Sequence, residues 1–192
     1  RKHVQRRARG LGDRAGDWLW NRVRGQYEAH VEGRGKAKSM SRDGTFPKDL
    51  HSDLELEQHL VRLVTRAAND LRGDGLTART VTVKLRDHDF KTRSAQQTMP
   101  TAVVSDRVIL EAARALLLKL RQTRRVPARL LGVSLSGLEP DPMADQLALF
   151  EAKGPLHESD RDRSLARAVD RVREKYGDKG ILPASLSRPE VR

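Results

Sequence analysis

Hydrophobic positions along the chain follow two different periods, and each change of period marks a new element. In RTVTVKLR, residues 79 to 86, Val81, Val83 and Leu85 fall on one side of an extended backbone while Thr80, Thr82, Lys84 and Arg86 fall on the other. Residues 129 to 136 repeat the pattern with Leu131, Val133 and Leu135 inward. Two more polar stretches read as further strands: Lys36 to Arg42, with Met40 inward and an end expected near Gly44 and Phe46-Pro47, and residues 91 to 99. Between these runs the period lengthens to that of a helix. Leu56, Leu60, Leu63, Val64, Ala67 and Leu71 make one stripe, opened by Ser52-Asp53-Leu54-Glu55 as a capping box and closed by Gly73 and Gly75. Ser105-Asp106 caps a second helix, with Ile109, Ala112, Ala113, Leu116 and Leu120 inward and an end between Arg121 and Pro127. The order β-α-β-β-α-β predicts an α+β fold, a four-stranded antiparallel sheet with two helices on one face and the other face bare.

The flanks behave differently. Leu11, Trp18, Leu19 and Val23 lie at roughly helical spacing ahead of Gly25, so residues 1–25 read as the end of a helical unit. Residues 26–35, with two glycines and little periodicity, read as a linker to the compact domain, 36–137. In the tail, 138–151, the segment DQLALF follows the breaker-rich EPDP. Gln146, Leu147, Leu149 and Phe150 form an apolar peptide of the kind that docks in a partner's pocket, or one that folds back on the domain's own core. Residues 152–192 carry an amphipathic helix, Ser159 to Tyr176, through Leu165, Ala168, Val169, Val172 and Tyr176. It is too short to be stable alone and is expected to dock.

Composition sharpens the picture in three places. With 192 residues, 37% hydrophobic, there is material for one modest core plus appendages. No cysteine is present, which excludes disulfides, thiolate metal sites and cysteine nucleophiles and fits a reducing cytoplasm; no signal peptide or membrane-length apolar run is visible. The chain begins with Arg, which points to a piece of a longer protein. The formal net charge is +12, and it is regional: residues 1–48 carry +8, 49–76 carry −3, 77–137 carry +8, 138–150 carry −3 and 151–192 carry +2. Two separated positive blocks that fold side by side would make a footprint for a polyanion; dispersed, they would make a solvated basic surface.

The bare sheet face is where such a footprint is expected. Alternation assigns it Ser39, Ser41, Thr80, Thr82, Lys84, Arg86, Ser94 and Ser134, with Lys36, Lys38, Arg42 and Arg93 nearby. Short hydroxyls let a phosphate approach backbone amides, and the cations supply charge-assisted bonds. Modules of the same topology that read single-stranded RNA stack bases on aromatics in the central strands. Here aromatics are 4% of the chain, and Phe46 and Phe90 lie at element ends, so duplex backbone is the expected partner. Catalytic machinery is not apparent. Asp87-His88-Asp89 reads as a turn, His51 and His59 do not share a helix face, with His59 expected at the surface, and Ser134 and Ser136 lie within a strand, not at a nucleophile elbow. No glycine-rich phosphate loop, metal site or cofactor site is found.

Three runs carry a family resemblance: KSMSRDGTFPKDLHSD, GLTARTVTVKLRDHDFKTRSAQQTM and RVPARLLGVSLSGL. Together they resemble the little-finger domain of Y-family translesion DNA polymerases, in the bacterial DNA polymerase IV branch. GDRAGDWLWNRVRG resembles the end of that family's thumb, and DQLALF its sliding-clamp motif. The resemblance implies a domain that packs beside primer-template duplex next to a catalytic core. Lys38, Ser39, Ser41 and Arg42 match its first DNA-contacting run; Thr80, Thr82, Lys84 and Arg86, with Thr92, Arg93 and Ser94, match the next two. Gln146, Leu147, Leu149 and Phe150 match the clamp peptide, which here is followed by a further helix. The family's reaction is template-directed nucleotidyl transfer with two magnesium ions on palm carboxylates, and those carboxylates are not in this sequence. The implied partners are duplex DNA and a sliding clamp, the implied state a monomer in the bacterial cytoplasm at the nucleoid. A free-standing ribosomal or RNA-recognition-type nucleic-acid-binding protein, and a regulatory module acting through protein contacts, are the rival readings of the same residues.

Overall fold

A computed structural model of the chain describes residues 13–26, 35, 37–141, 156–178 and 180–186. It divides into two compact units, Arg1–Lys36 and Ala37–Arg192. The first contains helix α1 (Asp13–Val23), on which Trp18, Leu19 and Val23 are exposed. The guanidinium groups of Arg22 and Arg24 lie over the Trp18 and Trp20 rings at 4.6 and 4.9 Å. Leu11, Lys36 and most of the linker lie outside the described residues.

The second unit holds strands β1 (Ser39–Leu50), β2 (Leu76–Asp87), β3 (Thr92–Val103) and β4 (Ala128–Pro140). Helix α2 (Asp53–Gly73) joins β1 to β2, and α3 (Asp106–Thr123) joins β3 to β4. The strands run antiparallel in the order β1-β4-β2-β3, which gives the expected β-α-β-β-α-β architecture. Both helices lie on one face. Their stripes, Leu56, Leu60, Val64, Ala67 and Leu71 from α2 and Ile109, Ala112, Ala113 and Leu116 from α3, bury against Val81, Val83, Leu85, Leu131, Val133 and Leu135. Removing such side chains from water is the main driving force for this fold.

Several boundaries differ from the sequence expectation: β2 begins at Leu76, and β3 runs on through Pro100 to Val103. Strand β1 starts at Ser39 and runs through Phe46-Pro47 to Leu50. Proline is tolerated there because β1 is an edge strand, the register shifts between Thr45 and Leu50, and Phe46 is drawn into the core. Strand β4 continues past Ser136 to Pro140, turning through Gly137 at φ +64.

The caps also differ. Ser52 caps α2 by accepting the Glu55 N–H, but Ser105 makes no side-chain cap bond on α3. The amides of Val104 and Ser105 donate instead to the buried carboxylate of Glu158, just ahead of helix α4 (Asp160–Tyr176). That helix carries a full capping box between Ser159 and Asp162.

Helix α4 docks largely through charge, with Ala168, Val169 and Val172 of the predicted apolar stripe half-buried. Leu165 and Tyr176 are exposed, while Ala166 and Arg173 are buried. Arg72 of α2, with 7% of its side chain exposed, donates to Asp170 of α4, to Asp106 and to the Val104 carbonyl. Arg107 of α3 grips Asp162 and the His157 carbonyl, and Arg163 and Arg167 hold Asp141 at the end of β4. The predicted apolar positions are thus only partly covered, and α2 and α3 offer α4 ionic partners at this end. All of this docking lies on the helix side, so α4 leaves the opposite face of the sheet uncovered.

Candidate nucleic-acid interface

Strand alternation and register arrange the open face as four rows of side chains. Ser39, Ser136, Thr80 and Thr98 form the first row; Ser41, Ser134, Thr82 and Gln96 the second. Asp43, Gly132, Lys84 and Ser94 form the third; Thr45, Leu130, Arg86 and Thr92 the fourth. Positions on the edge strands β1 and β3 are exposed, and those on the central strands β2 and β4 are mostly half-buried between their neighbours. Thr80 and Thr98 share a hydroxyl hydrogen bond of 3.1 Å, and Arg86 Nε donates to Thr92 Oγ1 at 2.9 Å.

The face is therefore a sheet of short hydroxyls with two cations at one end. No aromatic side chain stands in the rows, so there is no platform for an unstacked base. Hydroxyls and a serine-lined backbone suit phosphate oxygens, which accept hydrogen bonds at close range and carry no sequence information.

Most of the expected site residues meet on this face: Ser39, Ser41, Thr80, Thr82, Lys84, Arg86, Thr92, Ser94 and Ser134. Lys38 is exposed immediately before β1. Two arginines do not belong to it. Arg42 pairs in register with the core residue Val133, and its guanidinium reaches Asp70 of α2 at 2.7 Å. Arg93 pairs with the core residue Leu85 and donates to the fully buried Asp87 and to the Leu120 and Arg124 carbonyls. Both point to the helix side because they share strand parity with inward neighbours, Met40 in one case and Met99 in the other. Lys36, Gln146, Leu147, Leu149 and Phe150 lie outside the described residues. Asp43, Thr45, Gln96, Thr98 and Ser136 were missed by sequence reasoning, although the same alternation, carried two residues further along each strand, would have placed them.

Ion pairs at the rim occupy other cations that remain partly exposed. A hydrogen bond from Arg124 holds the Asp89 carboxyl far below the usual carboxylate range, and one from Arg129 lowers Asp49. Arg129 also lies over the ring of Phe90, 4.7 Å away. Asp87, expected as part of a turn, is the buried partner of Arg93 and Arg124 at the end of β2. His59, expected at the surface, is half-buried and packs against Phe46 at 4.7 Å. Among the described residues no group of three or more His, Asp or Glu side chains is placed to hold a metal ion. No described helix is long and apolar enough to cross a membrane.

Residues 37–149 match the impB/mucB/samB family C-terminal domain. DNA polymerase IV of Corynebacterium diphtheriae is 38% identical over 129 residues, covering 67% of this chain and 28% of that relative. DNA polymerase IV of Halorhodospira halophila is 41% identical over 132 residues, covering 68% and 36%. Among solved structures, a complex of the beta-clamp processivity factor and the little finger domain of PolIV aligns at 24% identity and a TM-score of 0.43, covering 58% of this chain and 97% of that one. The chain spans less than half the length of its most similar curated relatives, between 28% and 44%.

Proposed function

The chain belongs to the impB/mucB/samB family by its C-terminal domain, and from that membership we propose that it is the DNA-holding part of a Y-family translesion polymerase of the DNA polymerase IV type. The parent enzyme carries out template-directed nucleotidyl transfer with magnesium ions on carboxylates outside this chain; the residues here position the duplex and touch no reacting atom. In this reading residues 1–25 end the thumb, 26–35 link it to the little finger at 36–137, and the protein works as a monomer on cytoplasmic DNA. The open face of the sheet lies along the sugar-phosphate backbone of the primer-template duplex, with the hydroxyl rows accepting close approach and Lys84 and Arg86 neutralising phosphates. The observation that carries this reading is the sixteen-position face itself: rich in hydroxyls, free of aromatics and left uncovered by the docked α4.

Affinity for duplex DNA, duplex RNA and single-stranded RNA at equal salt tests it. Duplex DNA is expected to bind at least as tightly as either RNA, with log affinity falling linearly in log salt as counterions are released. Replacing Lys84 and Arg86 together by Ala should flatten that slope by about two phosphate contacts. A marked preference for single-stranded RNA would reject the assignment in favour of an RNA-recognition module.

We further propose that Gln146, Leu147, Leu149 and Phe150 tether the polymerase to the sliding clamp, on the strength of the large apolar side chains in a polar, proline-flanked segment. Capture of the protein by immobilised clamp should fall below detection in Leu149→Ala plus Phe150→Ala; undiminished capture would discard the tether.

A further inference from the structure

One acid interrupts the open face. Asp43 of β1 extends its carboxylate to Lys84 Nζ of β2, 2.6 Å away. The two strands are not neighbours, because β4 runs between them, and the residue beneath the bridge is Gly132. A Cβ at that position would collide with Asp43 Oδ1 and come within 3.2 Å of Lys84 Cε. Gly132 has no positive φ that would demand glycine, so what the position supplies is the missing side chain: it leaves the space in which the pair closes over β4. The pair is also at the surface, with 37% of the Lys84 side chain and 41% of Asp43 exposed, on the row next to Arg86. Of the two cations in the four rows, one is thus already neutralised before any DNA arrives, whereas among the described residues the partner of Arg86 is a neutral hydroxyl.

We propose that Asp43 is a built-in counter-charge that sets how selectively this face holds DNA, an inference that rests on the face being the DNA-binding surface. A phosphate that takes Lys84 must first displace a carboxylate, so a loose polyanion gains little from this position. A duplex that engages the hydroxyl rows at the same time offsets the displacement and keeps Lys84. The carboxylate thereby lowers indiscriminate grip and leaves the ranking of ligands to the geometry of the rows. Exposed pairs of this kind are modest in strength, so the bridge can open when a phosphate competes for the amine.

The test is a double-mutant cycle on the full chain, read by anisotropy with a labelled duplex and a labelled single strand across a salt series. Asp43→Asn should tighten duplex binding by about five-fold, as expected for release of one exposed pair. It should also tighten the single strand by at least as much, narrowing the preference for duplex. In a Lys84→Ala background the same replacement should gain less than about two-fold, because the cation it masks is gone. Unchanged or weaker binding in Asp43→Asn, or an equal gain in both backgrounds, would overturn the proposal. If Lys84→Ala plus Arg86→Ala weakens binding while Asp43→Asn gains nothing, the counter-charge fails and the DNA-binding face survives. If neither variant changes binding, the face fails with it.

Discussion

Lys84 and Arg93 stand on adjacent, paired strands, yet they serve opposite sides of the sheet. Lys84 faces Ser94 across the register on the open side; Arg93 faces Leu85 on the side of the helices. On that covered side three arginines are each held by several partners: Arg93 by Asp87 and two carbonyls, Arg72 by Asp106, Asp170 and a carbonyl, Arg121 by Asp53 and the Val126 carbonyl. On the open side Lys84 has one exposed carboxylate and Arg86 one hydroxyl. A net charge of +12 therefore does not map a binding surface. Much of the positive charge described here fastens helices to the sheet and to one another, and the face proposed for DNA works with very little of it.

The contrast is strongest where a single strand serves both sides. Leu85→Ala should cost about 3 kcal/mol of stability through the cavity it leaves in the core, whereas its neighbour Lys84→Ala should cost less than about 1 kcal/mol; urea unfolding of the two variants reads this directly. Arg93→Ala strands the buried Asp87 against one remaining arginine and should also cost about 3 kcal/mol, an effect out of reach of any open-face cation. Arg72→Ala should destabilise by a similar or slightly smaller amount, and its loss should appear first as protease cleavage near α4, because Asp170 loses both hydrogen bonds that tie it to α2. Arg42→Ala, placed on the helix side, should leave the salt slope of duplex binding unchanged, in contrast with the flattening expected for Lys84→Ala plus Arg86→Ala.

The smallest effect is on pH. Hydrogen bonds from Arg107 and Arg124 lower the native pKa of Asp162 and Asp89. Groups whose native pKa is depressed lend stability that is full above the unfolded carboxylate value, about 3.9, and is lost as pH falls through the lower native value. The contribution of these ion pairs to the melting temperature should be flat from about pH 8 to about pH 5 and decline only below about pH 4.

Legibility in the sequence followed the same division. The apolar stripes of α2 and α3 and the alternation in β2 and β4 were plain, because burial of Leu, Val and Ile leaves a period that can be read. Arg42 and Arg93 were placed beside the open face by their charge, although the parity that turns Met40 inward turns Arg42 inward as well. In β3 the inward residues are Arg93, Ala95, Gln97 and Met99, too polar to reveal their side without the partner strand. The docking side of α4 was legible only in part: Ala168, Val169 and Val172 are half-buried as expected, but the ions on two other helices that hold it leave no hydrophobic period. Asp43 drew no reading from the sequence; its meaning depends on β4 lying between β1 and β2, a matter of sheet order that no local pattern encodes.

The central claim is that duplex DNA lies on the uncovered side of this sheet. Backbone amide shifts followed by NMR while a short duplex is titrated into the protein report contact residue by residue. Perturbations gathered on Ser41, Thr82, Lys84, Arg86 and Ser134, with Arg114 and Leu118 on α3 unmoved, are the expected result. Perturbations centred on α2 and α3, with those strand residues silent, would contradict it.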